Sequence, residues 1–450
     1  MVEQRIRLKN HVLGLLTPLP RVYAKILLNL QFIGVDSFDV VSSLISICYR
    51  MIKELIIRDF FSFKGEHTIE LNQGVNILVG VNGSGKTSFL NAITMLYEGI
   101  AGGGLSALFR QWGSYNAIVN ACGEEKPDCF SVTYVFDADV LRSVVHASPF
   151  KKDVYYKITV FPIGDGTNFS LCETLYSEDS RGKKKTFCYL EFRNGLGQIS
   201  VRTKSGIEVE KYEGGMLSAQ ELVLRQITDP QRYLPSYTVR EAINAIAGYS
   251  KFDYDKVRQP AEANNIKRLM STGENLSQLL SYLNNNHTFQ YEKIRESLGD
   301  INPNFTGIGY NIFGNRLYLS LHERNLSHAI DALHISDGTL KYLLLLSIFY
   351  NPKRGTLVDI DEPESCLHPD MIRSVAKMMK SAGKTTQIIV ATHSALLLNA
   401  FELDDILVFE KNDRNETQII RYSEEDFENR EGELLPGQLW LNGEIGGKRW

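Results

Sequence analysis

Apolar residues come in short, regularly spaced bursts along this chain, and each burst predicts an element. Ile52 to Ile57 reads as a strand, Phe60 to Gly65 as a turn, and His67-Thr68-Ile69-Glu70-Leu71 alternates as a returning strand. Val75-Asn76-Ile77-Leu78-Val79 is a mostly apolar run that reads as a buried strand, after which Phe89, Leu90, Ile93, Leu96 and Tyr97 recur at helical spacing. Gly102-Gly103-Gly104 breaks that pattern. From about 128 to 212 the chain is β-rich, with strands over Phe130 to Phe136, Val154 to Phe161, Phe187 to Phe192 and Gln198 to Val201. Residues 217–300 read as mainly helical, as over Ala219 to Ile227, Val239 to Ile246 and Leu276 to Leu283. Two strands follow, Ile308 to Ile312 and Arg316 to Leu321. No sustained heptads and no internal repeat appear, which argues against a long coiled coil.

The C-terminal part alternates helix and strand: Gly338 to Tyr350, Thr356 to Asp361, Met371 to Met379, Gln387 to Thr392, then strands Ile406 to Phe409 and Thr417 to Tyr422. That alternation predicts an α/β fold, a mostly parallel sheet with helices on both faces. The expected domains are an N-terminal extension over 1–50, a head formed by 51–112 and 331–450, and an insertion over 113–330. The insertion is β-rich and then helical, with part of it packing on the head. Residues 1–50 read either as a helical appendage or as sequence upstream of a true start at Met51.

Composition narrows the classes. At 450 residues and 43% hydrophobic, the chain can hold two or three domains with real cores. A net charge of −4 gives no global argument for nucleic-acid binding, though it leaves room for a local basic groove. The six cysteines are scattered without a C-x-x-C pair, so neither a zinc site nor a disulfide framework is expected, and a reducing cytoplasm fits. No apolar stretch approaches the roughly 20 residues of a membrane span. Arg5, Arg7 and Lys9 before Val12 to Leu16 imitate a signal peptide, but Pro18 and Pro20 interrupt it and no small-residue cleavage site follows.

The candidate chemistry starts at Gly80-Val81-Asn82-Gly83-Ser84-Gly85-Lys86-Thr87, which fits the phosphate-loop pattern G-x-x-x-x-G-K-[ST] between a strand and a helix. Such a turn points backbone N–H groups at an anion, backed by the helix dipole. Gly80, Asn82, Gly83, Ser84, Gly85, Lys86, Thr87 and Ser88 are therefore the expected ATP-binding residues, with Lys86 reaching the β- and γ-phosphates and Thr87 ligating Mg2+. Leu357 to Glu362 is an apolar strand ending in two carboxylates. Asp361 can hold magnesium, and Glu362 can orient the attacking water. Asp359, inside the same strand, is expected at a sheet edge or in a polar network. His393, just past the next strand, reads either as a group that hydrogen-bonds the γ-phosphate or as an ordinary strand-end histidine. Ser336-Asp337-Gly338-Thr339 before an apolar helix reads as an N-cap, and the same features make an anion site.

Together these motifs resemble the ABC-type ATPase head of the RecF/SMC superfamily, and in particular the stand-alone bacterial AAA-family ATPases related to the OLD type. The likeness rests on the phosphate loop, Ser336-Asp337-Gly338-Thr339-Leu340 in place of L-S-G-G-Q, Asp361-Glu362-Pro363-Glu364 with Leu367-His368-Pro369, and the tail Leu439 to Glu444. Phe61 stands where a basic residue is expected. The resemblance implies a P-loop NTPase head with an added antiparallel β portion, split by the insertion. It also implies ATP sandwiched between two heads, with the signature residues Ser336, Asp337, Gly338 and Thr339 acting in trans and Ser336 and Gly338 of one copy meeting the γ-phosphate held by Lys86 of the other. A Mg-dependent ATPase working as a homodimer is the expectation, with Glu362 and His393 as catalytic residues and Gln111 as the candidate metal-contacting glutamine.

The expected task is a nucleotide-gated switch in DNA processing or anti-phage defence. The stretch after His393 is too short for a nuclease domain, so a separate nuclease or effector chain would supply that activity. The basic run Arg181 to Lys185 could touch DNA phosphates, but reads first as a solvated hairpin tip. Two other functions compete: the ATPase subunit of a membrane transporter, which the missing L-S-G-G-Q opposes, and a nucleotide-gated scaffold with little hydrolysis, which Glu362 opposes.

Overall fold

The computed structural model describes residues 50–123, 126–178, 186–203, 206–427 and 435–447. The expectations for the N-terminal extension up to residue 49 and for the basic run Arg181 to Lys185 lie outside them. The strands are β1 (Ile52–Arg58), β2 (Glu66–Glu70), β3 (Val75–Gly80), β4 (Phe130–Phe136), β5 (Val154–Ile163), β6 (Asn168–Glu178), β7 (Thr186–Arg193), β8 (Leu196–Thr203), β9 (Gly206–Tyr212), β10 (Ile246–Tyr249), β11 (Ala261–Glu262), β12 (Phe305–Phe313), β13 (Arg316–Glu323), β14 (Ile330–Asp331), β15 (Leu357–Asp361), β16 (Gln387–Thr392), β17 (Ile406–Lys411) and β18 (Thr417–Ile420). The longer helices are α1 (Lys86–Ile100), α2 (Leu105–Trp112), α3 (Leu234–Asn244), α4 (Leu276–Asn286), α5 (Thr288–Ile301), α6 (Asp337–Phe349) and α7 (Pro369–Gly383).

A central sheet in the order β10-β15-β16-β3-β17-β18 is parallel except for β18, which returns antiparallel to β17. Its strands are apolar on both faces because both faces are covered. Leu78 of β3 and Ile389 of β16 face one core, shared with Phe89, Ile93 and Leu96 of α1. Ile77, Val79, Ile388 and Val390 face the other, shared with α6 and α7. The period-2 alternation of each strand thus sorts its side chains between two cores.

The first core is closed by an antiparallel sheet in the order β2-β1-β4-β5-β6-β7-β8-β9. Its first two strands come from the start of the head and the rest from residues beyond 113. A third sheet joins β12 and β14 to opposite sides of β13, with β11 also on β13.

Three local expectations need correction. Ile246, expected at the end of a helix, begins β10, which adds to the central sheet parallel to β15 with Ile246 opposite Leu357. Ala219 to Ile227 contains only the short helix Val223–Gln226. Asp359 lies in β15, which is flanked by β10 and β16, so it is buried inside the sheet rather than at a sheet edge. Among the described residues no helix is long and apolar enough to cross a membrane.

Candidate functional site

The loop between β3 and α1 is shaped by close packing from two other segments. Gly85 has φ +115, a region that side-chain-bearing residues rarely adopt, and a Cβ there would lie 2.4 Å from Thr417 Oγ1 and 2.8 Å from Ser62 Oγ. The Thr417 hydroxyl bonds the Ser84 carbonyl at 2.9 Å and Ser62 Oγ at 2.7 Å, and Ser62 Oγ donates to Ser88 Oγ at 3.0 Å. The turn after β1 and the start of β18 therefore clamp the loop. Helix α1 starts without a side-chain cap and without an acidic residue in its first turn. Its leading N–H groups stay available to an outside acceptor.

Lys86 is buried, and its ammonium donates to the Gly80 carbonyl at 2.8 Å and the Val81 carbonyl at 3.2 Å. Burial pulls its pKa down to about 8, against the attraction of Asp361, Glu362 and Glu364. Asp361 ends β15 on the same face. Burial, helped by repulsion from Glu362, pushes its carboxyl up to about 6, and Lys86 opposes the shift. Glu362 follows with φ 45 and an exposed carboxylate, whose Oε1 lies 3.8 Å from His393 Nε2. Burial and the nearby Lys86 charge hold the His393 imidazole below its ordinary pKa.

These groups meet in one cleft of about 170 Å³ lined by Asn82, Gly83, Gly85, Lys86, Thr87, Ser88, Asp361, Glu362 and His393. Gly80 sits behind it, with its Cβ position 2.3 Å from the Phe409 carbonyl, and Ser84 is fully buried. Ser336 and Asp337 are exposed at the start of α6 and lie outside this cleft. The Ser336 hydroxyl caps its own helix, accepting from Thr339 N–H at 3.2 Å. Ser336 and Thr339 border a different cavity of about 230 Å³ with Phe305, Leu321, Tyr342 and Met371. Gln111 is exposed on α2 and is not among the cleft-lining residues. Phe61 packs edge-on against Phe60 and Trp112, an aromatic rather than a charged surface.

Three side chains that the sequence reading gave no role tie the cleft together. Glu364 Oε1 accepts from the Thr392 hydroxyl and the His393 N–H. Lys341 donates to the Glu362 carbonyl and to Ser365 Oγ. Thr417 clamps the loop as described. The one local signal was the charge of Lys341 inside the otherwise apolar run Leu340–Phe349.

The donor set fits a magnesium nucleotide. Uncapped backbone N–H groups and Lys86 face the cleft, and the Thr87 side chain and the Asp361 carboxylate open into it. Among the described residues no group of three or more His, Cys, Asp or Glu could hold a metal alone. Mg2+ is commonly held through one or two carboxylates plus substrate phosphates.

Residues 229–399 match a family model described as "AAA domain, putative AbiEii toxin, Type IV TA system", and residues 54–138 match one described as "AAA domain". Comparison with curated proteins finds no match. Among solved structures, an SMC head bound to the C-winged helix domain of ScpA aligns with a TM-score of 0.53 at 15% identity, covering 84% of this chain and 98% of that one. An SMC head domain from Pyrococcus furiosus, with an extended coiled coil and bound to the C-terminal domain of ScpA, aligns with a TM-score of 0.51 at 14% identity, covering 84% and 97%. AAA-domain models thus match stretches on either side of the middle of the chain, and the fold around the phosphate loop is that of SMC heads.

Proposed function

We propose that the chain binds and hydrolyses ATP as a nucleotide-gated homodimeric switch. The observation that carries this reading is the convergence of Lys86, Thr87, Asp361, Glu362 and His393, from three distant stretches of sequence, on one cleft. In this reading the backbone of Gly80 to Thr87 and Lys86 grip the phosphates, Glu362 orients the attacking water, and His393 contacts the γ-phosphate. When bound, Mg2+ supplies charge neutralisation at the phosphate oxygens, and Thr87 and Asp361 are the residues that would hold it.

Ser336 stands exposed, outside its own chain's cleft, while the neighbouring Asp337 carboxylate pairs with Arg258. This supports Ser336, with Gly338, meeting the γ-phosphate of a second copy, so that ATP joins two heads and hydrolysis releases them. Nucleotide would then favour the closed dimer by its differential affinity for that state.

The task of the switch in this reading is DNA processing or anti-phage defence, with a separate nuclease or effector chain. Support for a defence setting comes from the toxin–antitoxin description of the family model over 229–399, and support for a separate partner chain from the solved SMC heads, which carry a bound ScpA domain.

The deciding experiment is light scattering of Glu362→Gln at micromolar concentration with Mg-ATP, beside wild-type ATPase rates with and without duplex DNA. A stable ATP-dependent dimer of the variant and DNA-stimulated turnover are expected. A variant that stays monomeric ends the two-head reading, and a rate indifferent to DNA ends the DNA assignment.

A further inference from the structure

The Glu362 backbone, at φ 45, occupies a conformation that side-chain-bearing residues adopt only when their surroundings impose it. Its own contacts show what imposes it. On one side its N–H donates to the Ala391 carbonyl at 2.9 Å. On the other, its carbonyl accepts Lys341 Nζ at 3.0 Å, Ser365 Oγ at 2.9 Å and the Ser365 N–H at 3.2 Å. Lys341 Nζ reaches Ser365 Oγ as well, at 2.9 Å, and lies over the Phe252 ring at 5.5 Å.

Lys341 is itself buried, the one charged residue within the apolar run Leu340–Phe349. A buried ammonium is costly unless it is paired and hydrogen-bonded. Packing alone would be served by a leucine. The same helix meets the 362–366 loop a second time at Gly338, where a Cβ would lie 2.7 Å from the Cys366 carbonyl. Helix α6 and the loop that carries Glu362 are thus joined at two points.

We propose that Lys341 is a positioning residue for hydrolysis: it holds the Glu362 backbone in the conformation that presents the carboxylate to the cleft, and so couples that carboxylate to the helix beginning at Ser336. This rests on the dimeric ATPase reading. A γ-phosphate docking on Ser336 from the second copy then sets the geometry of Glu362 in the first, which makes the two sites of a dimer interdependent.

The test compares Lys341→Met, Lys341→Arg and Ser365→Ala with wild type. Misplacing a catalytic group by about 1 Å can cost about 100-fold in rate. Lys341→Met should therefore lower kcat by about 30-fold, with KM and ATP affinity within about twofold. Lys341→Arg, which keeps a donor, should recover to within about fivefold of wild type. In a Glu362→Gln background, Lys341→Met should cause no further loss. Amide exchange at Ser365 should quicken in nucleotide-free Lys341→Met.

A kcat within twofold of wild type, an undiminished loss in the Glu362→Gln background, or unchanged exchange at Ser365 overturns the proposal. If Lys341→Met does not fold, Ser365→Ala decides: lowered kcat at constant KM supports the strut, and an unchanged kcat overturns it. Should wild type fail to hydrolyse ATP, or Glu362→Gln turn over normally, the ATPase reading fails. The Ser365 exchange then still reports on the strut by itself.

Discussion

The Glu364 carboxylate fixes the backbone of His393: its Oε1 accepts the His393 N–H at 3.0 Å and the neighbouring Thr392 hydroxyl at 2.6 Å. Among the described residues its buried Oε2 has no hydrogen-bond partner. Glu364→Ala strands two donors at about 1–3 kcal/mol each, so stability and kcat should both fall, kcat by about tenfold or more. Glu364→Gln keeps Oε1 as an acceptor and should stay within about threefold of wild type in kcat. Steady-state kinetics and thermal melts of the two variants check this order.

Thr417 controls the phosphate loop from outside its sequence. Thr417→Val keeps the shape but removes the bonds to Ser84 and Ser62. The expected cost is about 1–2 kcal/mol of stability. ATP affinity should weaken severalfold, because Ser84 loses its tether. Denaturant unfolding and nucleotide titration measure the two effects.

Gly338→Ala places a methyl group 2.7 Å from the Cys366 carbonyl, which is backbone and cannot swing away. Overpacking of this kind costs about 1–3 kcal/mol. The strain falls between α6 and the loop after Glu362, far along the chain from Lys86. Turnover should drop while ATP binding to the isolated chain stays near wild type. Equal losses in binding and turnover would contradict this.

Glu173 gives a pH signature away from the cleft. It is fully buried, accepting from Tyr156 OH at 2.8 Å and from the Val223 and Leu224 N–H groups at 2.5 and 3.1 Å. Burial pushes its carboxyl up to about 7, and those three hydrogen bonds limit the rise. The folded state therefore binds this proton more tightly than the unfolded chain does. Its contribution is fully present below the ordinary value of 4.5 and is lost as pH rises to about 7. The difference in unfolding free energy between wild type and Glu173→Gln should shift against wild type across that window by on the order of 3 kcal/mol. A difference that is flat with pH refutes the shift.

The elements around the phosphate loop were legible because their signals are local. A buried strand, a glycine turn and a helical period adjoin within Val75 to Tyr97, and the acid pair closes its own strand at Asp361-Glu362. What escaped was written between segments. Glu364 acts on residue 393, Lys341 on 362, and Thr417 on 62 and 84, pairings that exist only after the sheet has formed. Strand β10 escaped for a related reason. Four residues that continue the apolar spacing of α3 become a strand because β15 offers an open edge. Asp359 was visible as an anomaly, but only the order of the strands set it inside the sheet.

The antiparallel ladder from β2 to β9 is hydrogen-bonded from each strand to the next, with register shifts in the β1–β4 and β6–β7 pairs. At about 4.8 Å per strand it spans about 34 Å. The turn between its first two strands holds Ser62, which bonds Ser88 and Thr417 beside the nucleotide loop. One end of an eight-stranded ladder is thus tied by side-chain hydrogen bonds to the phosphate loop, so whatever engages β9 shares a continuous backbone network with Ser62.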